Sequence, residues 1–246
     1  MLGRGEVTEV APDVFVALGT DVNWTLLREG AELTLVDAGY PGDTDRVLAS
    51  IAALGADPAD VQAVLLTHAH VDHLGAANHL HERYGVPVFT DPVEVAHARR
   101  AYLEQAGPAD VVRNLARPGV LPWALRIARA GAARKVVLPH AQPFPTDGPL
   151  DLPGRPQPVA THGHTSGHTA YHLPAVGAVL TGDALVTAHP TSRRAGPQVL
   201  PAMFNHGDPV AALDALAELS ADLVLPGHGP VLPMPIANAV AQARGG

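Results

Sequence analysis

The sequence predicts an α/β protein, a layered sandwich of two sheet-plus-helix halves folded as one domain over residues 1–246. Three observations lead there. Short apolar runs alternate with segments of helical period, 47% of the residues are hydrophobic against 16% charged, and the outline of the first half recurs in the second.

The first third reads as an antiparallel meander. Its strands are Val14 to Leu18, Trp24 to Leu27 and Leu33 to Val36, short apolar or alternating runs broken by Gly and charged turn residues. From Asp43 the period becomes helical, with Val47, Leu48, Ile51 and Leu54 on one face and Gly55 as the stop. Val61 to Leu66 is a buried strand, Asp72 to Tyr84 a helix ending at Gly85, Val86 to Phe89 a strand, and Glu94 to Gln105 a helix. Further helical pieces, Ala109 to Ala116 and Leu121 to Ala130, are broken by Pro108, Pro118 and Pro122. The segment from about 94 to 135 therefore reads as a helical insertion able to cap a site, with Leu121, Pro122 and Trp123 read first as a buried helix face and otherwise as apolar candidates for the cap. Pro149 to Pro158 is a Pro-rich loop. Strands follow at Pro158 to Ala160, Ala170 to Leu173, Ala178 to Leu180 and Leu223 to Leu225, with a helix from Asp208 or Pro209 to Leu219, where Asp is a good N-cap and Pro suits the first turn.

Composition limits the function classes. Sixteen Lys and Arg against 24 Asp and Glu give a net charge of −8, the wrong sign for neutralising a phosphate backbone, so nucleic acid is not expected as a partner. No Cys is present, which removes disulfides, thiolate ligands and a Cys nucleophile. The stretch after Met1 has no apolar signal core, and no run of 18 apolar residues occurs. A cytoplasmic protein without a membrane partner is expected, acting on a small molecule; oligomeric state is not legible. Any metal must sit on His, Asp or Glu.

Thr67-His68-Ala69-His70-Val71-Asp72-His73 stands directly after a strand and before a helix. His68 and His70, two apart at a strand end, project to one side, and Asp72 and His73 can reach back from the next turn. Four N and O donors in six positions is about the density a two-metal cluster needs; the plain alternative is a solvated, His-rich turn. Three further candidates, His164, Asp183 and His228, each follow a strand, where loops of an α/β sheet converge.

These motifs resemble the metallo-β-lactamase-fold metallohydrolases. The likeness rests on Asp37 in Val36-Asp37-Ala38-Gly39, the His68 to His73 cluster, His164 in Gly163-His164-Thr165-Ser166-Gly167-His168, Asp183 in Thr181-Gly182-Asp183, and His228 in Pro226-Gly227-His228-Gly229, in family order over roughly residues 14 to 232. The resemblance implies a four-layer αβ/βα sandwich with His68, His70 and His164 on one metal and Asp72, His73 and His228 on a second. Asp183 would bridge the two, and Asp37 would support the cluster from behind. By the same pattern the first His of the Gly-His-Thr motif coordinates, so His164 is preferred over His168.

Two divalent cations sharing a carboxylate hold a water between them and lower its pKa toward neutrality, which suits hydrolysis; Asp72 is placed to hydrogen-bond that water or shuttle its proton. All-N/O ligation suits zinc, two per chain, and iron and manganese tolerate the same donors. His189 and His206 could line a substrate pocket, while the other histidines read as surface or loop residues. Arg99-Arg100 and Arg193-Arg194 read as solvated faces, and the second pair could instead hold a substrate carboxylate or phosphate.

Departures from the family's branches narrow the substrate. The glyoxalase II branch shares Gly-His-Thr-Ser-Gly-His but carries a further C-terminal helical domain. The acyl-homoserine-lactone lactonases place a Tyr shortly after the bridging Asp, where this chain has Ala184-Leu185-Val186-Thr187, and the nucleic-acid branches carry basic surfaces. True β-lactamases are generally exported and depart from the second-His and Asp pattern. A small ester, thioester or lactone is the expected substrate. The alternative is a mononuclear iron oxygenase of the persulfide dioxygenase type, which engages fewer of the ligands; a non-catalytic metal-binding protein should have lost a ligand, and none is missing.

Overall fold

The computed structural model describes residues 6–245. Seven strands make the first sheet, in the order β1 (Val7–Ala11), β2 (Val14–Leu18), β3 (Asn23–Glu29), β4 (Glu32–Val36), β5 (Val61–Leu65), β6 (Val88–Thr90) and β7 (Gln142–Pro143). The β1 to β4 pairings are antiparallel, as the meander required, and those from β4 to β7 are parallel. Helices α1 (Thr44–Ala53) and α2 (Ala77–Tyr84) make two of the crossovers. Between β6 and β7 lie α3 (Glu94–Ala98), α4 (Pro108–Asn114) and α5 (Val120–Arg129).

The second sheet holds β8 (Gln157–Ala160), β9 (Thr169–Leu173), β10 (Ala178–Gly182), β11 (Leu223–Pro226) and β12 (Leu232–Pro233), in the order β12-β11-β10-β9-β8. Only β10 and β11 run parallel, and α6 (Ala212–Ala217) crosses between them; α7 (Ile236–Arg244) follows β12.

Alternation along the strands sorts the side chains into layers. Val14, Val16, Leu27, Val36, Ala63 and Leu65 of the first sheet pack on Tyr171, Leu173, Leu180 and Leu225 of the second. The opposite face of the first sheet, through Phe15, Leu26, Leu35 and Val64, buries Val47 and Ile51 of α1 and Leu80 of α2. The outer face of the second, through Ala170, Val179 and Val224, takes Leu213 and Leu216 of α6 and Ala239 and Val240 of α7. The result is the expected four-layer α/β/β/α sandwich.

Several boundaries differ from the sequence reading, each for a physical reason. The helix expected from Asp72 starts only at Ala77. Residues 70–76 instead form tight turns whose backbone bonds to the loop after β4, Ala38 N to His73 O at 2.7 Å and Gly75 N to Gly39 O at 2.7 Å. At Gly75 a Cβ would stand 2.1 Å from the Tyr40 carbonyl carbon, so only glycine permits this approach. The helix expected over 94–105 stops at Ala98, because Arg100 takes a left-handed φ of 60°. The Arg99-Arg100 pair is not simply solvated: Arg99 donates to Ala141 O, and Arg100 donates to Val136 O, Ala69 O and His97 O, tying the loop to the sheet. The helix expected from Asp208 is the shorter α6, with Asp208 Oδ1 accepting from Val210 N and Ala211 N in the preceding turn.

Candidate metal centre

Loops leaving β4, β5, β8, β10 and β11 meet at one place and carry all seven candidate ligands there. One ligand atom each from His68, His70 and His164 lies within 4.8 Å of the others; the same holds for Asp72, His73 and His228, and for His68, His73 and Asp183. Asp183 sits between the first two trios. Its Oδ2 is 3.5 Å from His164 Nε2 and 3.2 Å from His228 Nε2, and its Oδ1 is 3.5 Å from His73 Nε2.

Each of the five imidazoles is held from behind. Thr67 Oγ1 spends its only proton on Asp37 Oδ2 at 2.9 Å, so His68 Nδ1, 3.0 Å from that oxygen, is the donor and Nε2 is left with its lone pair. His73 Nδ1 donates to Asp37 Oδ2 at 2.8 Å, His164 Nδ1 to Asn205 Oδ1 at 3.0 Å and His228 Nδ1 to Asp21 O at 2.5 Å. His70 is turned the other way, donating from Nε2 to Glu104 O at 2.5 Å and aiming Nδ1 inward. That arrangement sets His70 Nδ1 3.1 Å from His164 Nε2 with an acceptor lone pair on each, an opposition that a cation between them relieves. His68 Nε2, His73 Nε2 and Asp183 Oδ1 are buried without any hydrogen-bond partner. Imidazole and carboxylate donors with these orphaned atoms fit a divalent metal.

The electrostatics agree. Burial drives the His68, His70 and His164 rings below the usual imidazole range, which keeps them neutral. Burial also pulls on His73, but Asp37, Asp183 and Asp72 outweigh it and push it up to about 10. Asp183 is buried yet held well below the carboxylate range by His228 and His73. An incoming cation thus competes with a proton on His73.

His168 takes no place in any trio. Its Nδ1 is 2.8 Å from Thr161 Oγ1, and its Nε2 accepts from Asp183 N at 3.0 Å, so the ring aims the Asp183 backbone. Gly227 leaves the space in front of Asp183, where a Cβ would lie 2.3 Å from Oδ1.

A cavity of about 540 Å³ opens over these groups, with Asp72, His70, His164, Asp183 and His228 at its polar end. Its apolar wall comes from Leu103, Val111, Trp123, Ile127, Leu200 and Phe204. Trp123 of the expected cap is buried there, whereas Leu121 points to solvent at 53% exposure. His189 lines the cavity, packed on Trp123, Phe204 and His228, and burial lowers it to about 3. His206 is exposed and outside the lining, as is the Arg193-Arg194 pair; Arg194 donates to Gln242 O instead.

Two side chains missed by the sequence reading are central. Tyr40, buried in the cavity wall, lies beside Asp72, and burial followed by the Asp72 charge pushes its phenol well up. Glu94, fully buried, accepts from Ala69 N at 2.8 Å, His97 Nδ1 at 2.8 Å, Thr165 Oγ1 at 2.9 Å and Gly167 N at 3.0 Å. It therefore joins the His68-His70 loop to the His164 loop. Tyr40's position three residues beyond Asp37 was the one available signal; Glu94 had none, since its partners are distant in sequence.

A four-layer sandwich with a His/Asp cluster at the strand ends defines a class of metal-dependent hydrolases, and a profile of the metallo-beta-lactamase superfamily matches residues 18–228. The chain belongs to that superfamily. It is 30% identical over 237 residues to the N-acyl homoserine lactonase AttM of Azorhizobium caulinodans, covering 94% of this chain and 77% of the relative. It is 27% identical over 183 residues to the probable metallo-hydrolase YybB of Bacillus subtilis, covering 73% and 70%. Among solved structures, a metallo-beta-lactamase family protein from Thermus thermophilus superposes with a TM-score of 0.65 at 25% identity, covering 95% of this chain and 79% of that one.

Proposed function

We propose that this metal-dependent hydrolase works with two metal ions, zinc foremost, on a small ester, thioester or lactone in a cytoplasmic setting. The observation that carries the reading is the pair of trios with the partnerless atoms of His68, His73 and Asp183 between them. His68, His70 and His164 would hold one ion and Asp72, His73 and His228 the other, with Asp183 shared. Divalent ions bound there would supply a nucleophilic hydroxide near neutral pH and a Lewis acid for the substrate carbonyl.

The chain's own groups do the rest. Asp72 Oδ2 stands 3.5 Å from His228 Nε2 and 3.9 Å from His73 Nε2, on the cavity floor, where it would accept a proton from the attacking water. Tyr40 places its phenol beside Asp72, where it would orient the carboxylate. The apolar wall of the cavity takes the acyl portion and excludes bulk water. The N-acyl homoserine lactonase among the relatives supports a lactone or similar acyl-oxygen substrate, and here Tyr40 supplies a phenol beside Asp72 in place of one following Asp183.

The test is metal content per chain of protein purified without added metal, paired with hydrolysis of an ester, a thioester and a lactone. About two zinc per chain with turnover supports the reading. One iron per chain, with oxygen uptake on a persulfide and no hydrolysis, overturns it. In Asp183→Ala, both metal retention and turnover should fall; unchanged metal content would sink the shared-carboxylate assignment.

A further inference from the structure

We infer that the outer face of the helical insertion docks onto an anionic lipid surface. The first observation is charge. Residues 93–135 hold eight of the chain's sixteen Lys and Arg side chains but only three of its 24 acidic ones, a net +5 on a protein of net −8, so the remainder carries −13. The second is exposure. Among the described residues nine large hydrophobic side chains are exposed, and seven of them fall between Val93 and Leu125.

The two features coincide on the helices. In α5, Val120, Trp123, Ala124 and Ile127 turn inward onto the cavity and its apolar cluster. Leu121, Leu125 and Arg129, at i, i+4 and i+8, share the opposite face, where the two leucines are 53% and 50% exposed. Helix α4, which packs against α5, adds Val112 at 64% and Leu115 at 39% exposure beside Arg113, with Arg117 in the turn that follows. Arg117, Arg134 and Lys135 are exposed, and among the described residues no acidic side chain pairs with them. A surface helix that is apolar on both faces and rimmed by unpaired cations matches an interfacial, lipid-facing segment.

Charge complementarity selects the occupant. A two-fold contact between copies would set the exposed Arg117 and Arg129 against their own images. The exposed side chains on α4 and α5 are aliphatic, not the aromatic platforms that stack nucleic-acid bases. An anionic bilayer surface attracts each arginine near it and accepts the leucines, while repelling the acidic remainder and so fixing the orientation. No helix among the described residues is long and apolar enough to cross a membrane, so the contact is peripheral. This departs from the expectation of no membrane partner. It does not depend on the proposed reaction, although α5 would then separate the lipid surface from the cavity by one helix thickness, about 10 Å.

The experiment is co-sedimentation of the whole protein with phosphatidylcholine vesicles with and without phosphatidylglycerol, over a salt series. Binding to the phosphatidylglycerol vesicles, weakened by salt and absent on pure phosphatidylcholine, is the expected result. Leu121→Glu with Leu125→Glu, and separately Arg117→Glu with Arg129→Glu, should each weaken binding about tenfold or more at unchanged metal content and thermal midpoint. Equal binding to both vesicle types overturns the inference, as does binding to neither. So does a self-association that the leucine variants abolish, or salt-dependent capture of an oligonucleotide without vesicle binding.

Discussion

Asp37 contacts no reacting atom in this arrangement, yet three bonds converge on it, from Thr67 N, Thr67 Oγ1 and His73 Nδ1. Through Thr67 it fixes the His68 ring and directly it fixes the His73 ring, so one carboxylate sets two ligands. Asp37→Asn keeps the shape but loses an acceptor and the charge, and metal affinity should fall about 10–100-fold, read by competition with a chelator. An unchanged affinity would show that the rings are held by packing alone. Gly227 works by being small. Gly227→Ala should leave the thermal midpoint close to that of the parent while Asp183 is displaced and metal retention drops; a metal-replete variant would refute the close approach.

At the same scale, the seven ligand candidates were legible because each is a metal-binding residue type in a loop that leaves the end of a strand. Of the residues behind them, Asp37 and the supporting role of His168 were legible from their motifs, whereas Thr67, Asn205 and Asp21 are ordinary residues whose roles come from which loop they face, and no spacing rule reports that. The sequence pattern also offered Arg193-Arg194 as an anion clamp, whereas α7 engages Arg194 through Gln242 O.

Among the elements, the strongly periodic ones were legible: β2 to β5, α1, and the β9, β10 and β11 strands of the second sheet all fall within a residue or two of their expected places. The short edge strands β1, β7 and β12 and helix α7 were not, because they draw stability from pairing and docking more than from a pattern of their own. The insertion shows the limit most clearly. Its helical pieces were visible from Pro and Ala, but the fastening of the loop after α3 to the centre by Glu94, His97 and Arg100 was not. His97 Nδ1 donates to Glu94, its Nε2 accepts from Glu104 N, and Glu104 O in turn holds His70. Removing the carboxylate strands four buried donors. Glu94→Ala should therefore lower stability by at least about 3 kcal/mol in urea unfolding and loosen metal binding together. A loss of stability with intact metal affinity would separate α3 from the centre.

For the whole molecule, the buried imidazoles give stability a pH dependence whose sign can be worked out. His68, His70, His164, His168 and His189 are all held below the ordinary value, so the unfolded chain takes up protons that the fold refuses as pH drops below about 6.5. Their effect is lost stability on acidification, continuing for His189 down to about 3. His73 and His228 act oppositely: against the pull of burial, both are held above the ordinary value by Asp183 and Asp72, and the His73 contribution is complete below about 6.5 and fades as pH rises toward about 10. Metal-depleted protein should have its highest urea midpoint near neutrality, falling more steeply toward pH ~5 than toward pH ~8, and His189→Leu should flatten the acid limb. A midpoint that rises on acidification would contradict the burial of neutral rings.

The centre draws His68, His70, Asp72 and His73 from the first sheet's loops and His164, Asp183 and His228 from the second's. During synthesis at ~5–20 residues per second, the 155 residues that follow His73 up to and including His228 take about 8–30 s to emerge. For that interval the nascent chain carries only part of the candidate ligand set, so any ion the finished site holds can be captured only late in synthesis, an order dictated by the connectivity of the sandwich.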